Sequence, residues 1–307
     1  MQRRSSAHQK RVKTQMYDLV VIGNPTFHNG RLSGPSVYSA ATAAKIGIEQ
    51  MAIVSSVSTT LLDAFTSGVD ELGIPEYFIV DSKEKEGVEI NSPSINHDTS
   101  IIGIPSKIGI RSIPEEFLNS QAVLLSPSLQ EITPEFVEWV CSSTDTLVFL
   151  DPQLRKLNSD GRMEYIREFS VAEKTESYLD IIKSNQLESE LLTGESDPYL
   201  AAELIVQWAA ETCIITFGKK GCLTYDGKDF NHIPAFPTEE VDPVGAGSVF
   251  LASFASQSIN GIPIVDSGVY ASSIASLKVE SHGMDFSIRE SEVNRRSDFI
   301  SASIETR

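Results

Sequence analysis

The stretch "DPVGAGSVF", residues 242–250, decides how this chain is read. A proline turn leads into two glycines flanking an alanine, and an apolar run of small residues follows to about Asn260. That pattern is a loop ending at a helix N-terminus, where unpaired backbone N–H groups and the helix dipole favour an anion. The position after the glycines holds Ser248. A carboxylate there could take a proton from an attacking hydroxyl, whereas an unassisted serine cannot. A dinucleotide fingerprint fits poorly, because its third glycine would fall where Phe250 stands. A Walker A loop is missing too, since "GKKGCLT" (218–224) lacks the Gly-Lys-Ser/Thr ending. The plain alternative is that these glycines only let two helices pack closely.

Outward from this stretch, strands and helices alternate. "YDLVVIG" (17–23) and "MAIVSSV" (51–57) read as buried parallel strands, and "SVYSAATAAKIGI" (36–48) as a helix ending at Gly47. "TLLDAFTSGVDELG" is a second helix and "PEYFIV" a third strand. The texture changes over 81–112, where short alternating runs with turn residues read as hairpins. Strand–helix units resume with "QAVLLS", "PEFVEWVCS" and "TLVFLD", then a charged helix around 161–170. "DIIKSNQLESELLTG" turns from strand to helix near Asn185, and "ETCIITFGKKGCLTYDG" gives two strands joined by a glycine turn. Two small-residue helices, about 244–260 and 264–280, come near the end. The alternation predicts a mostly parallel sheet covered on both faces.

The chain has 307 residues, 41% hydrophobic, enough for a large core, and no apolar run approaches the ~20 residues that span a bilayer. A net charge of −17 argues against nucleic-acid or anionic-membrane partners, which draw on basic surface. Cys141, Cys213 and Cys222 are odd in number and form no C-x-x-C pair, so they read as reduced core thiols of a cytoplasmic protein. Residues 1–15 stand apart, with five Lys/Arg, no acid and no apolar centre for a signal peptide. They read as a disordered basic extension, with a short transit peptide as the alternative, before a single domain over 16–307.

Five stretches, in the same order along the chain, resemble the PfkB (ribokinase-like) family of sugar and nucleoside kinases. "SGPSVYSAATAAKIG" resembles its early glycine-led helix, and "VFLDPQLR" an Asp-Pro-x-x-Arg strand end. "KSNQLESELLTG" is similar to the Asn-x-x-Glu motif, and "ITFGKKGCL" to the Thr-x-Gly-x-x-Gly turn. "DPVGAGSVF" resembles the second signature, which ends Gly-Ala-Gly-Asp. The resemblance implies a three-layer α/β/α sandwich with a reduced β lid, ATP as donor, Mg²⁺, and a small sugar, polyol or nucleoside as acceptor. It implies that the backbone amides of Gly245, Ala246 and Gly247 form the anion hole, with Asp242 among the catalytic residues and Ser248 in the base position. Asn185, Thr216, Gly218 and Gly221 would face the nucleotide, with Lys219 adding charge, and Glu188 would hold Mg²⁺ through water. Asn24, His28, Gly34 and Arg155 would face the acceptor, with a surface ion pair as the plain reading of Arg155.

The departures from the family pattern fall on the acceptor side and the base. Ser248 stands for the family's Asp, and His28 in "GNPTFH" for an Asp that grips substrate hydroxyls. Ser33 and Ser253 stand where glycines are common, and the seven residues from His28 to Gly34 imply a truncated lid. A monomer, or a dimer formed away from the lid, follows from that truncation. Three readings stay open: a working kinase in which His28 serves as base, an impaired homologue that binds nucleotide or sugar without turnover, and a deliberate substitution at Ser248.

Overall fold

Alternate residues of β1 (Tyr17–Ile22) serve two cores: Val20 and Ile22 face one, Leu19 and Val21 the other. Period-two burial on both sides requires cover on both sides, and helices supply it. The computed structural model describes residues 17–82, 85–91, 100–143, 145–166 and 179–306. Its centre is a ten-stranded sheet. Seven parallel strands run in the order β13 (Ala210–Thr216), β12 (Leu179–Asn185), β9 (Leu147–Leu150), β8 (Ser120–Leu125), β1, β4 (Met51–Val57), β5 (Tyr77–Asp81). Three antiparallel strands extend it past β13: β14 (Cys222–Tyr225), β15 (Phe230–Ile233) and β16 (Glu305–Thr306).

One face packs on α3 (Glu115–Leu118), α4 (Pro134–Ser143), α5 (Gln186–Thr193) and α6 (Pro198–Trp208), through Phe117, Phe136, Leu192 and Ile205. The other packs on α1 (Pro35–Ile46), α2 (Leu62–Glu71), α7 (Ala246–Ile259), α8 (Ile264–Val279) and α9 (Glu290–Ser301), through Ala40, Phe65, Phe254, Val269 and Ile300. The three layers are those expected, and Gly47 closes α1 in the left-handed conformation at φ 96°. Among the described residues no helix is long and apolar enough to cross a membrane. All three cysteines are buried and unbridged, and burial pushes the Cys222 thiol to about 12, so it stays protonated and inert. The basic extension read over 1–15 lies outside the described residues.

Two expectations fail. Residues 26–33 form a lid hairpin: β2 (Thr26–His28) pairs with β3 (Arg31–Ser33) across Asn29 and Gly30, at φ 51° and 76°. Asn-Gly favours such a two-residue turn because both residues must take positive φ. This hairpin joins β7 (Ile101–Gly103) and β6 (Val88–Glu89) in a four-stranded sheet, order β3-β2-β7-β6, so the lid draws on both segments. Nor is 161–165 helical: β11 (Met163–Tyr165) pairs antiparallel with β10 (Arg155–Leu157), and the rest of that expected helix lies outside the described residues from 167 on. Glu164, one of the charges in the segment read as a helix, is a cross-strand partner, with Lys156 lying opposite it at 3.1 Å. The Met163 amide donates to Asn91 O and the Asn91 amide to Gly161 O, clipping this hairpin to the lid segment.

Candidate active site

The parallel strands β9, β12 and β13 end along one edge of the sheet, and α5 and α7 begin there, so the ligand face of an α/β sheet and two helix N-termini coincide. A cleft of about 1760 Å³ runs over this edge and under the lid. Sites for one small molecule span roughly 300–1,000 Å³, so this cleft has room for two ligands end to end.

At one end lies the loop that decided the reading. Gly245 takes φ 84° as the N-cap of α7, and a Cβ there would sit 2.4 Å from the Tyr38 ring, so only glycine fits. The Ala246 amide donates to Pro243 O at 3.1 Å and is therefore spent, which corrects its expected place among the anion-hole donors. The amides of Gly245, Gly247 and Ser248 have no acceptor among the described residues. Three open N–H groups at a helix N-terminus lining a cleft can receive an anion. Ser248 itself is buried but lines the cleft, and its carbonyl accepts from Ser39 Oγ.

Asp242 organises the approach to this hole. Its Oδ1 accepts from the Val244 amide at 3.0 Å and its Oδ2 from the Gly283 amide at 2.9 Å. Lys278 Nζ, on α8, lies 3.1 Å from Oδ2 and donates to the Asp242 carbonyl at 2.6 Å, with the Tyr38 ring beneath it. Burial pushes the Asp242 carboxyl up, but the two amides and the ammonium outweigh it and hold the group below the usual carboxylate range. Burial lowers the Lys278 ammonium, against the opposing pull of Asp242. With both oxygens occupied, Asp242 acts as a brace for the loop.

Asn185 and Glu188 open α5 as a reciprocal capping box. Asn185 Oδ1 accepts from the Glu188 amide at 2.9 Å, and Glu188 Oε2 from the Asn185 amide at 3.0 Å. Glu188 is buried, and its second oxygen, Oε1, has no partner among the described residues. Burial first, then the nearby Asp151 carboxylate, raise its pKa, and Lys183, the Asn185 amide and Arg155 pull it back. Asp151, just past β9, binds Lys183 Nζ through Oδ2 at 3.0 Å and receives Gln153 Nε2 at 3.0 Å. Its Oδ1 is likewise buried and unpartnered. Gln153 takes φ 51°, and the Leu154 amide bonds back to Pro152 O, a tight three-residue turn that lets Asp151 point inward and Arg155 reach the cleft. No described residue pairs with Arg155, so the plain ion-pair reading has no partner there.

Thr216 ends β13 beside the cleft and donates to Ser184 O at 3.2 Å. Gly218 and Lys219 are exposed on its rim. At Gly221 a Cβ would lie 2.0 Å from Ile233 O, so this glycine lets the turn close on β15. His28 and Gly34 line the lid end, with Ile90, Ile101, Met163 and Tyr165. The His28 ring is exposed and meets no described hydrogen-bond partner, so nothing orients it as a base.

One expected site residue is placed elsewhere. Asn24 is fully buried, its amide donating to Ile104 O and Ser106 O and its Oδ1 accepting from the Ser56 amide. Both N–H donors and one lone pair of that side chain are used and none of it is exposed, so it is a strut between β1 and the lid segment and cannot grip a substrate. The Asn24 backbone N–H in turn donates to the buried Glu131 carboxylate at 2.9 Å, which also receives the Ser128 and Leu129 amides. Ser253 donates to Val249 O within α7 and stays away from the cleft. Lys183 and Lys278 were not anticipated. Their one local signal is a lysine inside an otherwise apolar run, "DIIKS" and "IASLKV".

Fold and site together define an α/β protein with a two-ended cleft along its strand ends and open helix N-terminal amides at one end. The chain belongs to the pfkB family of carbohydrate kinases, whose model matches residues 39–291. It is similar to a cytidine kinase of Thermococcus kodakarensis, 28% identical over 269 residues, 81% of this chain and 91% of that one. Among solved structures it superposes on a pyrophosphate-dependent kinase of the ribokinase family complexed with a pyrophosphate analog and myo-inositol. That match has a TM-score of 0.71 at 18% identity, over 90% of this chain and 99% of that one. It also superposes on Arabidopsis thaliana ribokinase complexed with ribose and ATP, with a TM-score of 0.69 at 18% identity, over 92% and 100% of the two chains.

Proposed function

We propose that this kinase moves the terminal phosphate of ATP to a hydroxyl of a small sugar, polyol or nucleoside. The observation that carries the reading is the set of open amides at Gly245, Gly247 and Ser248, facing a cleft whose other end is a lid-covered, partly apolar pocket. Phosphoryl transfer asks a protein mainly for positioning and charge stabilisation, and preorganised amides supply both where negative charge builds.

Mg²⁺ fits the residues present. Glu188 Oε1 and Asp151 Oδ1 are buried carboxylate oxygens without partners among the described residues. Two such oxygens suit an ion that keeps several waters and shares its remaining ligands with phosphates. Bound there, it would neutralise phosphate charge. Arg155 offers a fork of donors to an acceptor hydroxyl or carboxylate at the lid end. Acceptor discrimination would then rest on the pocket formed by His28, Ile90, Ile101, Met163, Tyr165 and Arg155.

A second reading is favoured by one observation: Ser248 offers no carboxylate at the hole, and Asp242 is fully engaged as a brace. On that reading the protein binds donor or acceptor with little turnover. Release of ADP with Mg²⁺ and a panel of sugars, inositols and nucleosides separates the two. Product from any acceptor supports the kinase. A raised melting temperature with ATP and no product across the panel supports the binding module.

A further inference from the structure

Lys183 sits where stability alone would not place a lysine. It lies on β12 in the middle of the sheet, 3% exposed. Its Nζ stands 2.7 Å from the point a Cβ on Gly247 would occupy, so the ammonium presses against the first turn of α7. The N-terminus of a helix carries the positive end of its dipole, and a cation there is unfavourable. Asp151 Oδ2 is the only described partner of this ammonium, leaving two of its three N–H bonds open beside the open amides of Gly247 and Ser248. Burying unpaired donors against a like-signed dipole costs stability unless an anion with several acceptor oxygens joins them.

We propose that Lys183 is a phosphate-contacting catalytic residue. Its ammonium grips the terminal phosphate of the donor together with the Gly245, Gly247 and Ser248 amides, and Asp151 positions it. The glycine at 247 is then required because a side chain would push the ammonium out of the hole. The identity of the donor rests on the kinase reading, whereas the affinity for a phosphate group does not.

Titration calorimetry on the full chain, with inorganic pyrophosphate, Mg²⁺-ATP and adenosine as separate probes, tests this. Lys183→Met leaves Asp151 buried and unpaired, so Lys183→Met/Asp151→Asn is measured beside it to keep the fold neutral and intact. Both variants are expected to bind pyrophosphate and ATP roughly 10- to 100-fold more weakly, the loss of a charge-assisted contact, with adenosine unchanged. Gly247→Ala, which keeps its amide, is expected to weaken the same two ligands. A folded double variant that binds pyrophosphate within twofold of wild type overturns the assignment. A wild-type protein that binds neither phosphate ligand also overturns it. If wild type binds pyrophosphate, the double variant does not, and no acceptor is phosphorylated, Lys183 stands and the kinase reading falls. If wild type and double variant turn over equally, the kinase reading stands and Lys183 falls.

Discussion

Replacing Ser248 with Asp places a carboxylate in the first turn of α7, lining the cleft beside Gly247 and Lys183. A positioned general base contributes about 10²–10⁴ in rate, or ~2.7–5.5 kcal/mol of barrier. The surroundings decide how much of that is realised. A carboxylate at a helix N-terminus gains about 0.3–1 kcal/mol, and up to ~2 kcal/mol where partly buried. Asp151 and Glu188 oppose it, with the Lys183 ammonium bonded to Asp151 as a screen. These effects offset, so the melting temperature is expected to move by no more than a few degrees. Turnover of the variant falls as the new carboxyl takes up a proton, an acid limb that serine cannot produce. The assay is ADP release at saturating donor, for wild type and Ser248→Asp, with a melting scan of each. A variant that folds and binds ATP as wild type does, yet turns over no faster, would refute the idea that the missing carboxylate limits this site.

Lys278→Met removes the cation that braces the Asp242 loop, and breaking a buried pair costs ~3–5 kcal/mol. The Asp242 side chain is 19% exposed, so a loss of ~2–3 kcal/mol is expected in denaturant titration, partly recovered by adding Asp242→Asn. The folded Lys278 titrates below 10.5, so the unfolded chain holds the extra proton between those two values. Stability contributed by this group therefore rises with pH in that window while donor affinity falls, and paired stability and binding measurements check the opposite signs. For Glu188, raised above 4.5, the folded state holds the extra proton, so stability falls as pH climbs from 4.5 through the folded pKa. Glu188→Gln keeps an acceptor for the capping box and is expected to be more stable than wild type at neutral pH, with ~10- to 100-fold less turnover. Gly245→Ala combines a left-handed backbone, ~1–2 kcal/mol, with a Cβ 2.4 Å from Tyr38, ~1–3 kcal/mol, and is expected to lose ~2–5 kcal/mol in thermal or urea unfolding. An unchanged melting temperature would contradict that geometry.

Local pattern carried most of the fold. The strands at 17–22 and 51–57, the helices at 35–46, 246–259 and 264–279, and the strand-to-helix switch at Asn185 all follow from apolar spacing and punctuation by glycine. The charged helix read around 161–170 did not, because charged residues such as Glu164 fit a solvated helix face and a cross-strand pair equally well until a partner strand is known. The hairpin at 26–33 has a strong Asn-Gly turn but three-residue strands, too short for periodicity to register. At the site, the motif residues of α5, β13 and α7 are brought to one cleft, while Asn24 is drawn into a strut.

What the sequence by itself determined is the order of elements and the helix terminus after Gly245, since both depend on residues adjacent in the chain. What the tertiary structure decided is which polar groups are free. Asp151 and Lys183 stand 32 residues apart, Asp242 and Lys278 36 apart, and their pairing exists because parallel crossovers and helix packing bring distant segments to one edge of the sheet. A lysine in a sequence counts as solvated by default, and only burial beside a carboxylate and a helix N-terminus turns it into a fixed charge at the cleft.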